Sequence, residues 1–73
     1  MDFSDALREI KAGRRCARDS WGSLTVGQYV QLARGGGEQL PYLEIRTSDG
    51  LLVPWQPPHK DVLAEDWAIY HTP

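Results

Sequence analysis

The amino-acid sequence predicts an α+β fold: a small antiparallel sheet packed with an N-terminal helix and a short C-terminal helix. Three observations predict it. They are an apolar stripe at helical spacing near the N-terminus, an Asp-Gly pair between two β-rich runs, and the order helix, strands, helix, strand along the chain. Because the chain has 73 residues, we expect a single domain that spans residues 1–73.

The N-terminal helix is predicted by apolar residues that recur at the i, i+3, i+4, i+7 spacing of one helix face, namely Phe3, Ala6, Leu7 and Ile10. Asp2 is a suitable N-cap, and Asp5 places negative charge in the first turn, where the helix dipole favours it. Gly13 is suited to the position just beyond the last turn. We therefore predict a helix over residues 3–12.

The middle of the chain is predicted to form two strands. Residues 14–18 resemble a short strand with mixed faces, and residues 19–23 resemble a turn that carries an aromatic side chain. Residues 24–33 are rich in β-forming side chains, although Gly27 weakens this strand. Residues 34–39 contain three consecutive glycines and predict a flexible loop.

A β-hairpin is predicted in the second half of the chain. Asp49 and Gly50 lie between a β-rich run over residues 42–47 and a second run over residues 51–53, and an Asp-Gly pair in this setting is a strong hairpin signal. Three prolines then end the strand pairing, namely Pro54, Pro57 and Pro58.

The end of the chain is predicted to add a short helix and a closing strand. Residues 59–66 fit a helix in which Val62 and Leu63 point inward, and residues 67–70 fit a strand. The sheet is therefore expected to receive its last strand from the C-terminal segment.

Composition limits the possible functions. The net charge is −2 with acids and bases interspersed, which argues against a protein that binds nucleic-acid polymers. No apolar run approaches the roughly 20 residues needed to span a membrane. Cys16 is the single cysteine, so no disulfide or zinc site is expected, and with no signal peptide the chain fits a reducing cytoplasm.

The core of a single chain gives only marginal stability, because a chain this short buries only about 60% of its unfolded surface. A further source of stability is therefore expected. Oligomerisation is a common solution, and three tryptophans with three tyrosines suit a buried interface. We therefore expect a homo-oligomer without a metal or a cofactor.

Three tryptophans are candidates for ligand binding. The face of an indole stacks on a nucleobase, and each such contact contributes roughly 1–3 kcal/mol. The alternative is that Trp21, Trp55 and Trp67 anchor the core or an interface. Trp67 fits the core best, and Trp21, which is flanked by small residues, fits a partly exposed position best.

Charged residues give two further candidate groups. A basic group near Trp21 suits a phosphate, or it is a solvated strand face paired with local acids: Lys11, Arg14, Arg15 and Arg18. An acidic group suits ribose hydroxyls, a general acid–base pair, or the charge preference of a helix end: Asp61, Glu65 and Asp66. Neither His59 nor His71 has a clear partner in the sequence.

Several short motifs together resemble a known family. In the first half these are Met1-Asp2-Phe3, Ala6-Leu7…Lys11-Ala12-Gly13 and Arg18…Trp21. In the second half they are Leu40-Pro41-Tyr42, Thr47…Asp49-Gly50, Val53-Pro54-Trp55 and Asp61…Leu63-Ala64-Glu65-Asp66-Trp67. This pattern is similar to that of the Thoeris anti-defence proteins of the second type, small phage and bacterial proteins that act as sponges for cyclic nucleotide immune signals.

The resemblance implies a compact α+β unit that assembles as dimers into a tetramer. It implies non-covalent capture, without hydrolysis, of cyclic ADP-ribose-type or cyclic dinucleotide signals. Phe3 and Trp21 would stack on or wall the base, Trp55 would line the pocket, and Asp61 would hold ribose or base edges. Arg18 would neutralise a phosphate, a role that rests on chemistry more than on the family pattern.

The sequence also departs from the family pattern. Trp21 lies between Ser20 and Gly22, where the family often has Gly-Trp-Asn-Gly, and Pro58 and Lys60 replace a frequent Ser and Thr. Two potential polar ligand contacts are thereby lost and one cation is gained, so the identity of the ligand stays open.

Three hypotheses follow. The first is a cytoplasmic phage-type sponge in a bacterial host, with Phe3, Arg18, Trp21, Trp55 and Asp61 as the ligand-binding residues. The alternative is a small protein-interaction module that inhibits a host protein directly, in which the same aromatic residues are interface hot spots. The third is a small hydrolase of such nucleotides that uses Asp61 and Glu65.

Overall fold

The computed structural model of the protein describes residues 1–22, 27–37 and 40–71. The elements in chain order are helix α1 (Phe3–Lys11), strand β1 (Cys16–Arg18), a 3-10 turn (Asp19–Trp21), strands β2 (Tyr29–Ala33), β3 (Tyr42–Arg46) and β4 (Leu52–Pro54), helix α2 (His59–Val62) and strand β5 (Trp67–Ile69). The five strands form one sheet in the order β4-β3-β2-β1-β5, and every neighbouring pair is antiparallel. The predicted α+β class is confirmed.

Helix α1 begins and ends as its sequence predicts. The Asp2 side chain accepts a hydrogen bond from the Asp5 backbone N–H at 2.9 Å, which satisfies one of the free N–H groups of the first turn. Beyond the last turn, Gly13 has a φ of 100°, a conformation that L side chains rarely adopt. Ala6 and Ile10, on the predicted apolar stripe, are buried against the sheet.

The strand register decides which residues face α1. Cys16 is paired with Val30, and Val30 is paired with Ile45, so these three side chains share the sheet face that packs on the helix. The Cys16 thiol donates to the Ala6 carbonyl at 3.6 Å. Burial raises the pKa of this thiol to about 11, so Cys16 is a neutral core residue at physiological pH.

The predicted hairpin is confirmed between β3 and β4. The Thr47 N–H donates to the Leu51 carbonyl at 2.8 Å, and Gly50 has a φ of 91° in the turn. Pairing continues past β4, because the Trp55 N–H donates to the Leu43 carbonyl at 2.9 Å. The tryptophan that follows the hairpin is therefore fixed against the sheet.

Some predicted boundaries differ from the structure. Strand β2 begins at Tyr29, whereas the predicted strand begins at residue 24. Residue 23 of the predicted turn, residues 24–26 of the predicted strand and residues 38–39 of the predicted loop lie outside the described residues. Strand β1 is shorter than predicted and covers Cys16–Arg18.

The prediction for the second helix was wrong in length and in orientation. Helix α2 ends at Val62, and Leu63 beyond it is 80% exposed, whereas Asp61 is only 4% exposed. A helix of one turn has no extended apolar face to bury, and Asp61 is turned inward because Arg18 provides it with an ion-pair partner. The inward-facing residue of this helix is therefore an acid.

Candidate functional site

Trp67 lies at the centre of an aromatic cluster, which consists of Phe3, Trp21, Trp55 and Trp67. The Trp67 ring is 5.4 Å from the Phe3 ring, 5.3 Å from the Trp21 ring and 6.1 Å from the Trp55 ring, measured between centroids. Since Trp67 is only 2% exposed, its predicted core position is confirmed. The other three side chains are partly buried around it.

Separate elements of the fold supply the rings of the aromatic cluster. Phe3 lies in the first turn of α1, Trp21 ends the 3-10 turn, and Trp55 directly follows β4. The Trp21 and Trp55 rings are perpendicular at 6.3 Å, and the Phe3 and Trp55 rings are tilted by 60° at 6.5 Å. These distances and angles match the edge-to-face packing that aromatic pairs prefer. Three partly exposed rings are thus held at defined angles around one buried ring.

Arg18 lies beside Trp67 in the sheet, because strands β1 and β5 pair these two residues. Its Nη1 donates to Asp61 Oδ1 at 2.8 Å, and its Nε donates to Asp66 Oδ1 at 2.7 Å. The hydrogen bonds to Asp66 and then Asp61 raise the pKa of Arg18, and the hydrogen bond from Arg18 lowers the pKa of Asp66. Arg18 and Asp66 are therefore both charged at neutral pH.

Asp61 makes two hydrogen-bonded contacts with the rest of the site. Its carboxylate pairs with Arg18, and its backbone carbonyl accepts a hydrogen bond from the Trp67 indole N–H at 2.8 Å. The second contact satisfies the polar edge of a buried indole, which otherwise incurs a desolvation cost. The aromatic cluster and the ion pairs consequently form one connected unit.

The charge balance of this unit bears on the predicted role of Arg18, which is to neutralise a phosphate. One guanidinium faces two carboxylates, so the three groups together carry one net negative charge. The positive charge of Arg18 is thus already matched before a ligand binds. Any contribution of Arg18 to an anionic ligand comes from directed N–H donors rather than from net charge.

The predicted basic group is not assembled in one place. Arg14 is exposed and pairs with Glu9 at 2.7 Å. Arg15 donates to Gln31 at 3.2 Å and lies 4.8 Å from the centroid of the Tyr29 ring. Strand alternation puts Tyr29 on the sheet face opposite α1, so Arg15 points away from the aromatic cluster. Arg14 fits the alternative prediction of a solvated basic residue paired with a local acid, whereas Arg18 is partly buried and pairs with acids 43 and 48 residues away.

The predicted pairing of Asp61 with Glu65 on one helix face is wrong. Helix α2 ends at Val62, and Glu65 lies in an exposed bend beyond it. The described residues contain no group of three or more His, Cys, Asp or Glu side chains able to hold a metal ion. His59 is exposed at the start of α2.

Asp66 and Trp67 are central residues of this unit that the sequence does not predict to bind a ligand. The sequence places Asp66 only in an acidic group, and it places Trp67 in the core. A signal was present, because antiparallel pairing of the predicted strands over residues 14–18 and 67–70 places Arg18 beside this dipeptide. Arg18 and Asp66 are 48 residues apart in the sequence, so short-range patterns do not predict their contact.

Trp55 also borders an open cleft next to the β3–β4 hairpin. The cleft has a volume of about 930 Å³, and its lining is mostly apolar: Leu40, Tyr42, Leu43, Pro54, Trp55 and Gln56. Of the predicted ligand-binding residues, Trp55 is the one that belongs to both the aromatic cluster and this lining. A planar group in the cleft would therefore be adjacent to the cluster.

The fold and this site define a class of small α+β proteins with an aromatic and charged candidate binding site. No helix among the described residues combines the length and the apolar character needed to cross a membrane.

Comparison with known proteins identifies the family. The profile of the Thoeris anti-defense 2-like domain matches residues 1–70. A protein of Bacillus phage SP01 described as Thoeris anti-defense 2 is 29% identical over 83 residues, which cover 94% of this chain and 93% of that protein. The chain therefore belongs to the Thoeris anti-defense 2-like family, as its motifs indicate. This membership supports a phage anti-defence role, and the family description fits a non-catalytic protein.

Proposed function

We propose that the protein is a phage anti-defence sponge that binds a cyclic nucleotide immune signal and sequesters it without cleavage. The ligand class is a cyclic ADP-ribose-type molecule or a cyclic dinucleotide. The observation that carries this proposal is the convergence of Phe3, Trp21 and Trp55 with the Arg18–Asp61 ion pair around Trp67. These side chains offer stacking surfaces and polar groups within one small region.

Each part of a cyclic nucleotide has a chemical counterpart in this region. A base stacks on Phe3 or Trp21, and such contacts contribute roughly 1–3 kcal/mol per base. Trp55 lines the pocket, and Asp61 accepts hydrogen bonds from ribose hydroxyls or base amino groups. Arg18 donates to a phosphate oxygen. None of these contacts requires a bond to break, so the ligand is retained intact.

The functional unit that we propose is a homo-oligomer, with dimers assembled into a tetramer in the host bacterial cytoplasm. Support comes from the β3–β4 hairpin, where Leu51, just before β4, is 60% exposed and Leu52, on the edge strand β4, is 50% exposed. Leu40 and Tyr42, toward the end of the hairpin opposite its turn, are exposed as well. Exposed apolar side chains on an edge strand favour association, because a partner buries them and pairs the free backbone groups of the edge.

The direct test is ligand release. The purified protein is incubated with a panel of cyclic ADP-ribose isomers and cyclic dinucleotides, freed of unbound nucleotide, heat-denatured and chromatographed. We expect one intact nucleotide to be recovered in proportion to protein. A cleaved product would contradict sequestration and would support the hydrolase. If the protein retains nothing from the panel, the sponge proposal is wrong.

The same exposed apolar surface favours one second candidate, a module that inhibits a host protein directly. In that case the β3–β4 hairpin and the adjacent cleft would receive a partner chain, and their aromatic residues would be hot spots. A stable host protein would then co-purify, and the purified sample would contain no nucleotide. These two results separate the candidates in one preparation.

A further inference from the structure

Asp66 makes three hydrogen bonds to the segment that carries two of the candidate ligand-binding residues. Its Oδ1 accepts from Arg18 Nε at 2.7 Å, and its Oδ2 accepts from the Ser20 backbone N–H at 3.1 Å. Its backbone carbonyl accepts from the Asp19 N–H at 2.9 Å. One residue is therefore bonded to three consecutive positions, immediately before Trp21.

From these contacts we propose that Asp66 is a positioning residue of the ligand site, which orients the Arg18 guanidinium and the 3-10 turn of Trp21 without touching the ligand. This inference rests on the sponge function proposed above.

The 3-10 turn needs an external partner to keep its shape. It has only three residues, and its N-cap, Arg18, makes no capping hydrogen bond with its side chain. Short 3-10 segments have poor hydrogen-bond geometry, and their first N–H groups have no partner within the turn. The Asp66 carboxylate supplies that partner at Ser20. The direction of the Trp21 indole consequently depends on a residue from the other end of the chain.

Arg18 is oriented in a similar way. A guanidinium is planar and has five N–H donors, so two bonds from different nitrogens fix its plane. Asp66 binds Nε and Asp61 binds Nη1. Within the described part of the chain, no group accepts a hydrogen bond from Nη2. Asp66 thus leaves one edge of the guanidinium available to an acceptor on a ligand, such as a phosphate or carbonyl oxygen.

The neighbouring residue completes the arrangement. Trp67 follows Asp66 directly, and its indole N–H binds the Asp61 carbonyl while its ring packs against Trp21. Asp66 and Trp67 together therefore set the positions of Arg18, Trp21 and Asp61. This explains in physical terms why an acidic residue precedes the tryptophan at the start of β5.

Substitution of Asp66 by asparagine distinguishes a positioning role from a purely electrostatic one, because the two roles predict opposite changes in affinity for an anionic ligand. Asp66→Asn removes a negative charge beside Arg18, so electrostatics alone predicts tighter binding of an anionic ligand. Asparagine has one carbonyl oxygen where aspartate has two acceptors, so either Arg18 or Ser20 loses its partner. Positioning therefore predicts weaker binding.

The experiment measures the affinity of the wild-type oligomer and its variants for cyclic ADP-ribose and cyclic di-AMP by calorimetry. We expect Asp66→Asn to weaken binding about tenfold or more, the scale of a lost hydrogen bond to a charged group. Asp66→Glu, which keeps the charge but displaces it, should give an intermediate loss. Asp5→Asn is the matched control, since it removes the same charge from an exposed pair on α1, and it should bind like the wild type.

Coupling to Arg18 gives a readout that a merely structural role would not change. In an Arg18→Gln background, Asp66→Asn should cost less affinity than in the wild type, because part of its effect passes through the guanidinium. Equal or tighter binding by Asp66→Asn in the wild-type background would overturn the inference.

A second measurement decides the question even if the wild-type protein binds neither nucleotide, a result that would count against the proposed function. In NMR spectra the Arg18 Nε–H signal should be resolved in the wild type and in Asp5→Asn, and should be lost or shifted in Asp66→Asn together with the Trp21 indole signal. Unchanged Arg18 and Trp21 signals in Asp66→Asn would show that Asp66 positions neither group.

Discussion

At the scale of residues, the site combines ring faces with a guanidinium whose charge is already compensated. Arg18 has two carboxylate partners, so an anionic ligand gains directed hydrogen bonds there and little net attraction. In the proposed function, most of the binding free energy then comes from stacking on the partly exposed rings. Affinity for a cyclic nucleotide should accordingly depend more on the tryptophans than on ionic strength.

A substitution of Trp21 tests most directly whether stacking supplies most of the binding free energy. Trp21→Ala removes one stacking surface, and we expect affinity for the retained nucleotide to fall by about 1–3 kcal/mol, measured by calorimetry. Leu63→Ala is the control, since Leu63 is 80% exposed and lies outside the aromatic cluster. Unchanged affinity in Trp21→Ala, with the oligomer intact by sedimentation, would remove Trp21 from the site.

The pKa of Asp66 predicts how acid affects the fold. Its hydrogen bond from Arg18 lowers this pKa below 3.8 in the folded state, so the ionised carboxylate stabilises the fold above pH 3.8. This contribution is lost as the pH falls through the lowered folded-state value, because both the folded and unfolded states are then protonated. The Asp66→Asn variant has no carboxylate at this position, so it lacks this stabilising contribution at every pH.

Urea denaturation of wild type and Asp66→Asn across the pH range measures this difference in free energy of unfolding. We expect the wild type to be the more stable protein by a constant margin between about pH 5 and 8, and the margin to shrink below pH 3.8. A margin that stays constant into strong acid would show that the Arg18–Asp66 pair does not stabilise the fold.

At the scale of elements, the sequence predicts those parts of the fold that local signals determine. The N-cap at Asp2 and the glycine at position 13 bound α1, and the Asp49-Gly50 turn defines the β3–β4 hairpin. Local signals do not determine α2, because the inward turn of Asp61 depends on Arg18, which is 43 residues away. The sequence predicts candidate residues by type but not the ion pairs of Arg18, because these require the β1–β5 pairing.

Helix α1 is expected to depend on its N-cap. Asp2→Ala removes the acceptor for the Asp5 N–H and should lower the free energy of unfolding by about 1 kcal/mol, as measured by urea denaturation. Ser4→Ala is the matched control, because Ser4 is exposed in the same turn and does not cap the helix. Equal stability of Asp2→Ala and Ser4→Ala would contradict the role of Asp2. Phe3 directly follows the N-cap, so the same substitution also weakens the helix turn that holds Phe3 in the aromatic cluster.

At the scale of the whole molecule, 73 residues support a core of few large side chains. Trp67, Ile10, Val30 and Cys16 are the largest fully buried residues within the described part of the chain. Trp67 belongs both to this core and to the candidate site, so the core and the candidate site share one residue. A protein this small therefore has little core separate from its site, and association is an effective way to bury further apolar surface.

Self-association through the β3–β4 hairpin is the last prediction. Leu52→Glu places a charge on the exposed edge strand β4, and we expect it to shift the oligomer toward smaller species in sedimentation velocity runs at equal concentration. Charge repulsion and desolvation then act against burial of this surface, while the core that packs on α1 is untouched. The isolated chain should therefore keep its circular dichroism spectrum.

Leu63→Glu is the control for this prediction, because it adds the same charge at an exposed leucine beyond α2. Dissociation by Leu63→Glu with an intact Leu52→Glu oligomer would locate the interface at α2 and contradict the hairpin as its site. If Leu52→Glu dissociates the oligomer and also abolishes nucleotide retention, pockets depend on neighbouring subunits. Retention by the dissociated chain would instead show that Phe3, Trp21, Trp55 and Asp61 form a sufficient site within one subunit.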